Sequence, residues 1–289
     1  MQRWFDPDRL RLMAIVNLTP DSFSPSSRFT TAEKLINYLD QAYQNGIRCF
    51  DVGAQSTAPK AEAITLEEEL ARWSLLLSPG VQVWMQDHPA VIWSADTFRG
   101  EVVEYLLTHD IFKGGLQIWN DIAGTLDQEV ETILLKYPAL QYVHMFTGSR
   151  ERAQAPFTSR QVLVAGDISK ALAEDWTAAR QYFQKNFSEK RLILDWGIGF
   201  GKAKADQHLL VEQGSKVARQ YFESGYQGSF LMGISRKSFM AAQAPTMKER
   251  DQIAARFYGQ YAHELHAWKD RFYWRQHVDF ADARRAEIE

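Results

Sequence analysis

Eight times along the chain a short apolar run gives way to a polar turn and then to a longer stretch of helical spacing. No other feature limits the fold as much. The runs lie at 12–16, 48–52, 91–95, 116–119, 141–145, 192–194, 230–232 and 271–274. Their length suits buried parallel strands, and the stretches at 32–45, 66–77, 100–107, 168–187, 209–222 and 248–267 suit helices. In 32–45, Leu35, Ile36, Leu39, Ala42 and Tyr43 recur at helical spacing and leave Glu33, Lys34 and Asp40 on the other side. Strands alternating with helices at this spacing build βαβ units and a parallel sheet. Eight of them predict a closed (β/α)₈ TIM barrel, with an open doubly wound sheet as the alternative. No linker, composition break, internal repeat or low-complexity segment divides the chain, so residues 1–289 are read as one domain. The polar segment 151–164 is expected to be a loop or an oligomer contact.

Composition narrows the function classes. With 45% hydrophobic residues the chain can fill a large core, and a net charge of −3 offers nucleic acid or a membrane surface nothing to bind. No run approaches the roughly 18 apolar residues of a membrane span, and a cytoplasmic location is expected. A lone cysteine, Cys49, excludes an internal disulfide framework, and its neighbours Ile47 and Phe50 mark it as a small core residue. The seven histidines lack the spacing of a transition-metal site. Glu67, Glu68 and Glu69 read as a solvated helix start. Most of the nine tryptophans read as core.

Polar residues gather just after the strands: Asn17, the segment Gly53 to Thr57, Asp96-Thr97, Asn120-Asp121, His144, Asp195, Ser235-Arg236-Lys237, Arg275 and His277. In a parallel barrel every strand's C-terminal end opens on one face, so these clusters converge on one pocket. Asp96 and Asp195 can each accept from the edge of a buried heterocycle, and Asn120 can donate and accept, a set suited to an amino-pyrimidine ring. A strand-end aspartate is also a common helix N-cap, and Asp96 before Thr97 fits that reading too. Asp195 to Lys202 is not a phosphate-binding P-loop, because Trp196 replaces the first glycine and Ala203 the hydroxyl residue. Its glycines either let the backbone pass close to a flat ligand or make a tight turn. Ser235-Arg236-Lys237-Ser238 precedes a helix and, with Arg275 and His277, suits an anion. Asn17 offers an oxygen to Mg²⁺.

Several segments taken together resemble the dihydropteroate synthases. Ala14 to Ser24 is similar to their first signature and Asp51 to Thr57 to their second. Ser94-Ala95-Asp96-Thr97, Asn120-Asp121-Ile122, His144-Met145, Asp195 to Lys202 and Gly233 to Ser238 follow in the family's order. The resemblance covers about Leu12 to His277. It implies a pterin-binding barrel, usually a homodimer, that condenses 6-hydroxymethyl-7,8-dihydropterin diphosphate with 4-aminobenzoate in folate biosynthesis. Asp96, Asn120, Met145, Asp195, Phe200 and Lys237 would then line the pterin site. Asn17, Arg275 and His277 would meet the diphosphate, with Asn17 at its Mg²⁺. Thr57, Pro59, Ser235 and Arg236 would surround the aminobenzoate. Asp96, Lys237 and Arg275 would be the catalytic residues.

Three departures stand out. Ala58 replaces an arginine expected to close over the diphosphate, and Lys60 is expected to supply part of its charge. The third loop reads Phe98-Arg99-Gly100 without the family's Lys-Pro, and Val278 displaces Asp279 one place beyond His277. These changes leave open a pterin-binding paralogue without synthase activity. A short final helix is expected after the eighth strand.

Overall fold

Eight parallel strands pair in chain order and close on themselves: β1 (Arg11–Asn17), β2 (Cys49–Gly53), β3 (Ile92–Asp96), β4 (Ile118–Asp121), β5 (Gln141–Met145), β6 (Leu192–Asp195), β7 (Ser229–Met232) and β8 (Phe272–Gln276). The last pairs with the first, from Arg11 opposite Tyr273 to Ala14 opposite Gln276. This computed structural model describes residues 10–19, 29–55, 64–112, 115–147 and 166–278. The expected loop at 151–164 and short final helix lie outside them.

Helices α1 (Ala32–Gln44), α2 (Leu66–Trp73), α3 (Pro79–Asp87), α4 (Gly100–Thr108), α5 (Gln128–Lys136), α6 (Ile168–Asn186), α7 (Lys204–Glu223) and α8 (Met247–Glu264) connect the strands. Their starts are written locally. Thr65 and Thr246 each form a reciprocal capping box with the glutamate three residues on, and Asp127 and Asp167 accept from first-turn amides. The sequence reading names neither α3 nor α5, each nine residues long. Pro79, which looks like a breaker, stands in the first turn of α3, where a missing N–H costs nothing. The predicted helix 66–77 is α-helical only to Trp73 and tightens to a 3-10 turn over Ser74–Leu77. The fourth strand starts two residues later than expected, at Ile118, and the seventh helix five earlier, at Lys204.

Each strand buries two faces. Inside the barrel one residue from each strand packs into a single apolar layer: Met13, Cys49, Ile92, Ile118, Val143, Ile193, Leu231 and Tyr273. Cys49 is thus core, with burial pushing its thiol well above the usual range. The alternate residues face the helices in the main core, where Trp93, Trp119, Trp196 and Trp274 are fully buried beside Trp73 and Trp176.

The contact between α7 and α8 yields a stability test. A Cβ at Gly214 would lie 2.0 Å from the Tyr261 hydroxyl, which donates to the Val211 carbonyl at 2.6 Å. Gly214→Ala gains about 1 kcal/mol of helix propensity, but overpacking costs about 1–3 kcal/mol and breaks that bond. Net destabilisation in urea titration is expected; a more stable variant would show that the two helices can move apart freely.

Candidate active site

Side chains alternate along a strand, so the residues two places beyond the apolar layer also point inward. There the interior turns polar: Asp51 on β2, Ser94 on β3, Asn120 on β4, Asp195 on β6 and Arg275 on β8, with Met145 on β5. Asp51, fully buried, is the hub. Its carboxylate accepts from the Ser94 hydroxyl at 2.6 Å, the Asn120 amide at 3.0 Å and Arg275 Nε at 2.5 Å. Arg275 also donates through Nη2 to Asp96 at 2.5 Å, so one guanidinium joins β2, β3 and β8.

This network sets the charges. Burial would lower the Arg275 pKa, but Asp51 and Asp96 outweigh it and hold the guanidinium firmly charged. Burial raises Asp96 to about 7 although Arg275 opposes the shift, and the Asp51 charge adds to the rise. Asp195 is also raised, chiefly by burial, while the Gly197 amide donates to it at 3.0 Å. Lys237 is lowered to about 8 by burial and then by Arg275, with Asp195 and Asp96 pulling the other way. Its ammonium stands 4.6 Å from the Phe200 ring centre.

Beside these groups Phe98, Ile122, Ala123, Met145 and Phe200 form a separate apolar cluster. Met145 is level with Asp195 and Phe200 lies under Lys237, so apolar surface adjoins acceptors and a donor, the mixture that suits a flat heterocycle. At the rim, Ser235 Oγ accepts from the His277 amide and lies 3.2 Å from its Nδ1. Burial and the nearby cations Arg236, Arg275 and Lys237 lower His277 to about 3, so it is a neutral hydrogen-bonding group rather than a cation.

The structure thus brings together Asp96, Asn120, Met145, Asp195, Phe200, Lys237 and Arg275. Asn17 ends β1 level with Gly53, in the inward register. Arg236, in the left-handed region at φ 59°, lays its guanidinium on Asp251 of α8 (3.0 Å). Thr57, Pro59, Ala58 and Lys60 lie outside the described residues. Two strand-end residues turn away from the pocket. His144 pairs with Asp175 of α6 at 2.9 Å, and Asp121 accepts from the Tyr142 hydroxyl at 2.8 Å, because both occupy outward positions of the alternation.

Other groups were missed in the sequence. Asp51 stood in a recognised segment, yet only its alternation with Cys49 and Gly53 signals that it points inward. Glu69 is not solvated. It is fully buried, pairs with Arg99 and accepts from the Thr97 hydroxyl at 2.8 Å, because α2 turns that side toward the β3–α4 turn. Asp96 is not a helix cap: Arg99 occupies that position before α4.

The family described as "Pterin binding enzyme" matches residues 13–270. The dihydropteroate synthase of Synechocystis sp. is 31% identical over 249 residues, covering 84% of this chain and 78% of the relative. Among solved structures, a Yersinia pestis dihydropteroate synthase in a sulfonamide drug complex superposes with a TM-score of 0.74 at 21% identity, covering 95% of this chain and 90% of that one. One from Anaplasma phagocytophilum, with bound 6-hydroxymethylpterin-monophosphate, gives 0.70 at 23%, covering 93% and 94%. These two agree with the barrel, while the sequence matches carry the relationship: the chain belongs to the pterin binding enzyme family, with dihydropteroate synthases as its relatives.

Proposed function

We propose that the protein is a dihydropteroate synthase, joining 6-hydroxymethyl-7,8-dihydropterin diphosphate to 4-aminobenzoate with release of diphosphate. The observation that carries this reading is the convergence of Asp96, Asn120, Asp195 and Lys237 beside Met145 and Phe200, with Arg275 next to them. Asp195 and Asn120 take the N–H edge of the pterin, and Phe200 covers its face.

The chemistry breaks the C–O bond to diphosphate, whose oxygen keeps the electron pair, and leaves a cation delocalised into the pterin ring. The amine nitrogen then forms the new C–N bond and loses a proton to solvent. The residues are placed to stabilise charge rather than to act as strong bases. Ionised Asp96 favours the cation. Arg275 spends Nε and Nη2 on Asp51 and Asp96, which leaves its Nη1 group for the leaving anion.

Among the described residues no three His, Cys, Asp or Glu side chains gather as a metal cage. An Mg²⁺ brought by the diphosphate would keep several waters, and Asn17 at the end of β1 would supply it one protein oxygen. When bound, the ion neutralises leaving-group charge.

Formation of dihydropteroate from the two substrates with Mg²⁺ tests the reading. Pterin binding without turnover would favour the non-synthase paralogue that the Ala58 departure suggests. The pH profile is a further check. Activity needs Asp96 ionised and Lys237 protonated, so kcat/KM should rise through about 7 and fall above about 8. Asp96→Asn should lower kcat/KM steeply and leave a residual activity without the acid limb; persistence of that limb would move it to another group.

A further inference from the structure

Lys202 is an amine that the proposed reaction does not use, and it is buried at 3% exposure behind the pocket. Among the described residues no carboxylate hydrogen-bonds its ammonium. It donates to three backbone carbonyls instead: Phe146 after β5, and Gly197 and Phe200 (each 3.0 Å) in the turn after β6. It also sits 4.5 Å from the Phe146 ring centre. A buried charge is costly, and a turn that only had to close would not need one.

The rest of the turn is built around this contact. Gly197 has φ 61°, and a Cβ there would lie 2.2 Å from the Phe146 carbonyl and 3.0 Å from Lys202 Nζ. Gln207 of α7 accepts from the Gly199 amide at 3.0 Å and donates to the Lys202 carbonyl at 2.9 Å. The turn's two pocket-facing products are Asp195, held by the Gly197 amide, and the Phe200 ring beneath Lys237.

We propose that Lys202 is a positioning residue for the pterin site: its ammonium gathers the Phe146, Gly197 and Phe200 carbonyls and so holds the turn that presents Asp195 and Phe200. The proposal rests on the pterin reading above. The charged groups facing Lys202 are Asp195 on β6, Asp175 on α6 and Lys237 after β7, and burial lowers its pKa to about 7. Above that value it loses a donor and its charge, and the turn loosens.

Calorimetry with a bare pterin on wild type, Lys202→Met and Lys202→Gln tests this at about pH 6 and about pH 8.5, either side of the transition. Glutamine keeps two N–H donors without the charge and guards against a methionine variant that does not fold. At the lower pH, Lys202→Met is expected to bind roughly tenfold or more weakly, as loss of a charge-assisted bond implies. Lys202→Gln should be intermediate and should show a smaller fall in affinity between the two pH values than wild type. Variants that bind like wild type, or an unchanged fall in Lys202→Gln, would overturn the role of Lys202 while leaving the pterin site standing. A wild type that binds no pterin would overturn both.

Discussion

Asp51→Ala is expected to lower the unfolding free energy by roughly 3–5 kcal/mol, the cost of stripping one partner from a buried ion pair. The loss is large because Asp51 satisfies three donors at once. Arg275, Ser94 and Asn120 all point at it from other strands. Without it the buried guanidinium keeps, among the described residues, the bond to Asp96 alone, and two neutral donors lose their acceptor. The exposed Lys136–Glu104 pair is the useful contrast, since solvent screens it and its removal should change nothing measurable. Urea denaturation of both variants would decide the matter. A loss below about 1 kcal/mol for Asp51→Ala would mean that water replaces the carboxylate and that the network is not the brace described.

For ligand binding the largest effect belongs to Asp195. Asp195→Asn should weaken pterin binding by about 1–3 kcal/mol, roughly ten- to a hundredfold, with the fold intact. The fold tolerates the change because the Gly197 amide needs one oxygen, which asparagine retains. The ligand does not, because the new N–H₂ group meets pterin donors where an acceptor stood. Calorimetry with a pterin reads the loss directly, and an unchanged affinity would remove Asp195 from the site. The two experiments separate two roles among the inward-facing polar residues. Asp51 spends its carboxylate on Ser94, Asn120 and Arg275 and holds the strands together, whereas Asp195 is the proposed acceptor for the pterin.

Much of this was legible in the chain itself. The eight apolar runs predicted eight strands within a few residues, because burial on both faces demands continuous apolar sequence. Polar residues at the strand ends predicted a single pocket, because parallel strands all finish on one face. What the chain did not show were partners distant in sequence. Glu69 looked like one of three solvated glutamates until α2 turned it onto Arg99, thirty residues away. His144 looked like a pocket residue until the alternation of β5 sent Met145 inward and His144 to Asp175. Arg275 read as an anion donor, but only closure of β8 onto β1 places it between Asp51 and Asp96. The sequence alone determined which residues carry charge and how strands and helices succeed one another, since both follow from local composition and periodicity. Tertiary structure decided which charges are buried and paired, because burial and proximity across 224 residues of chain exist only once the barrel closes.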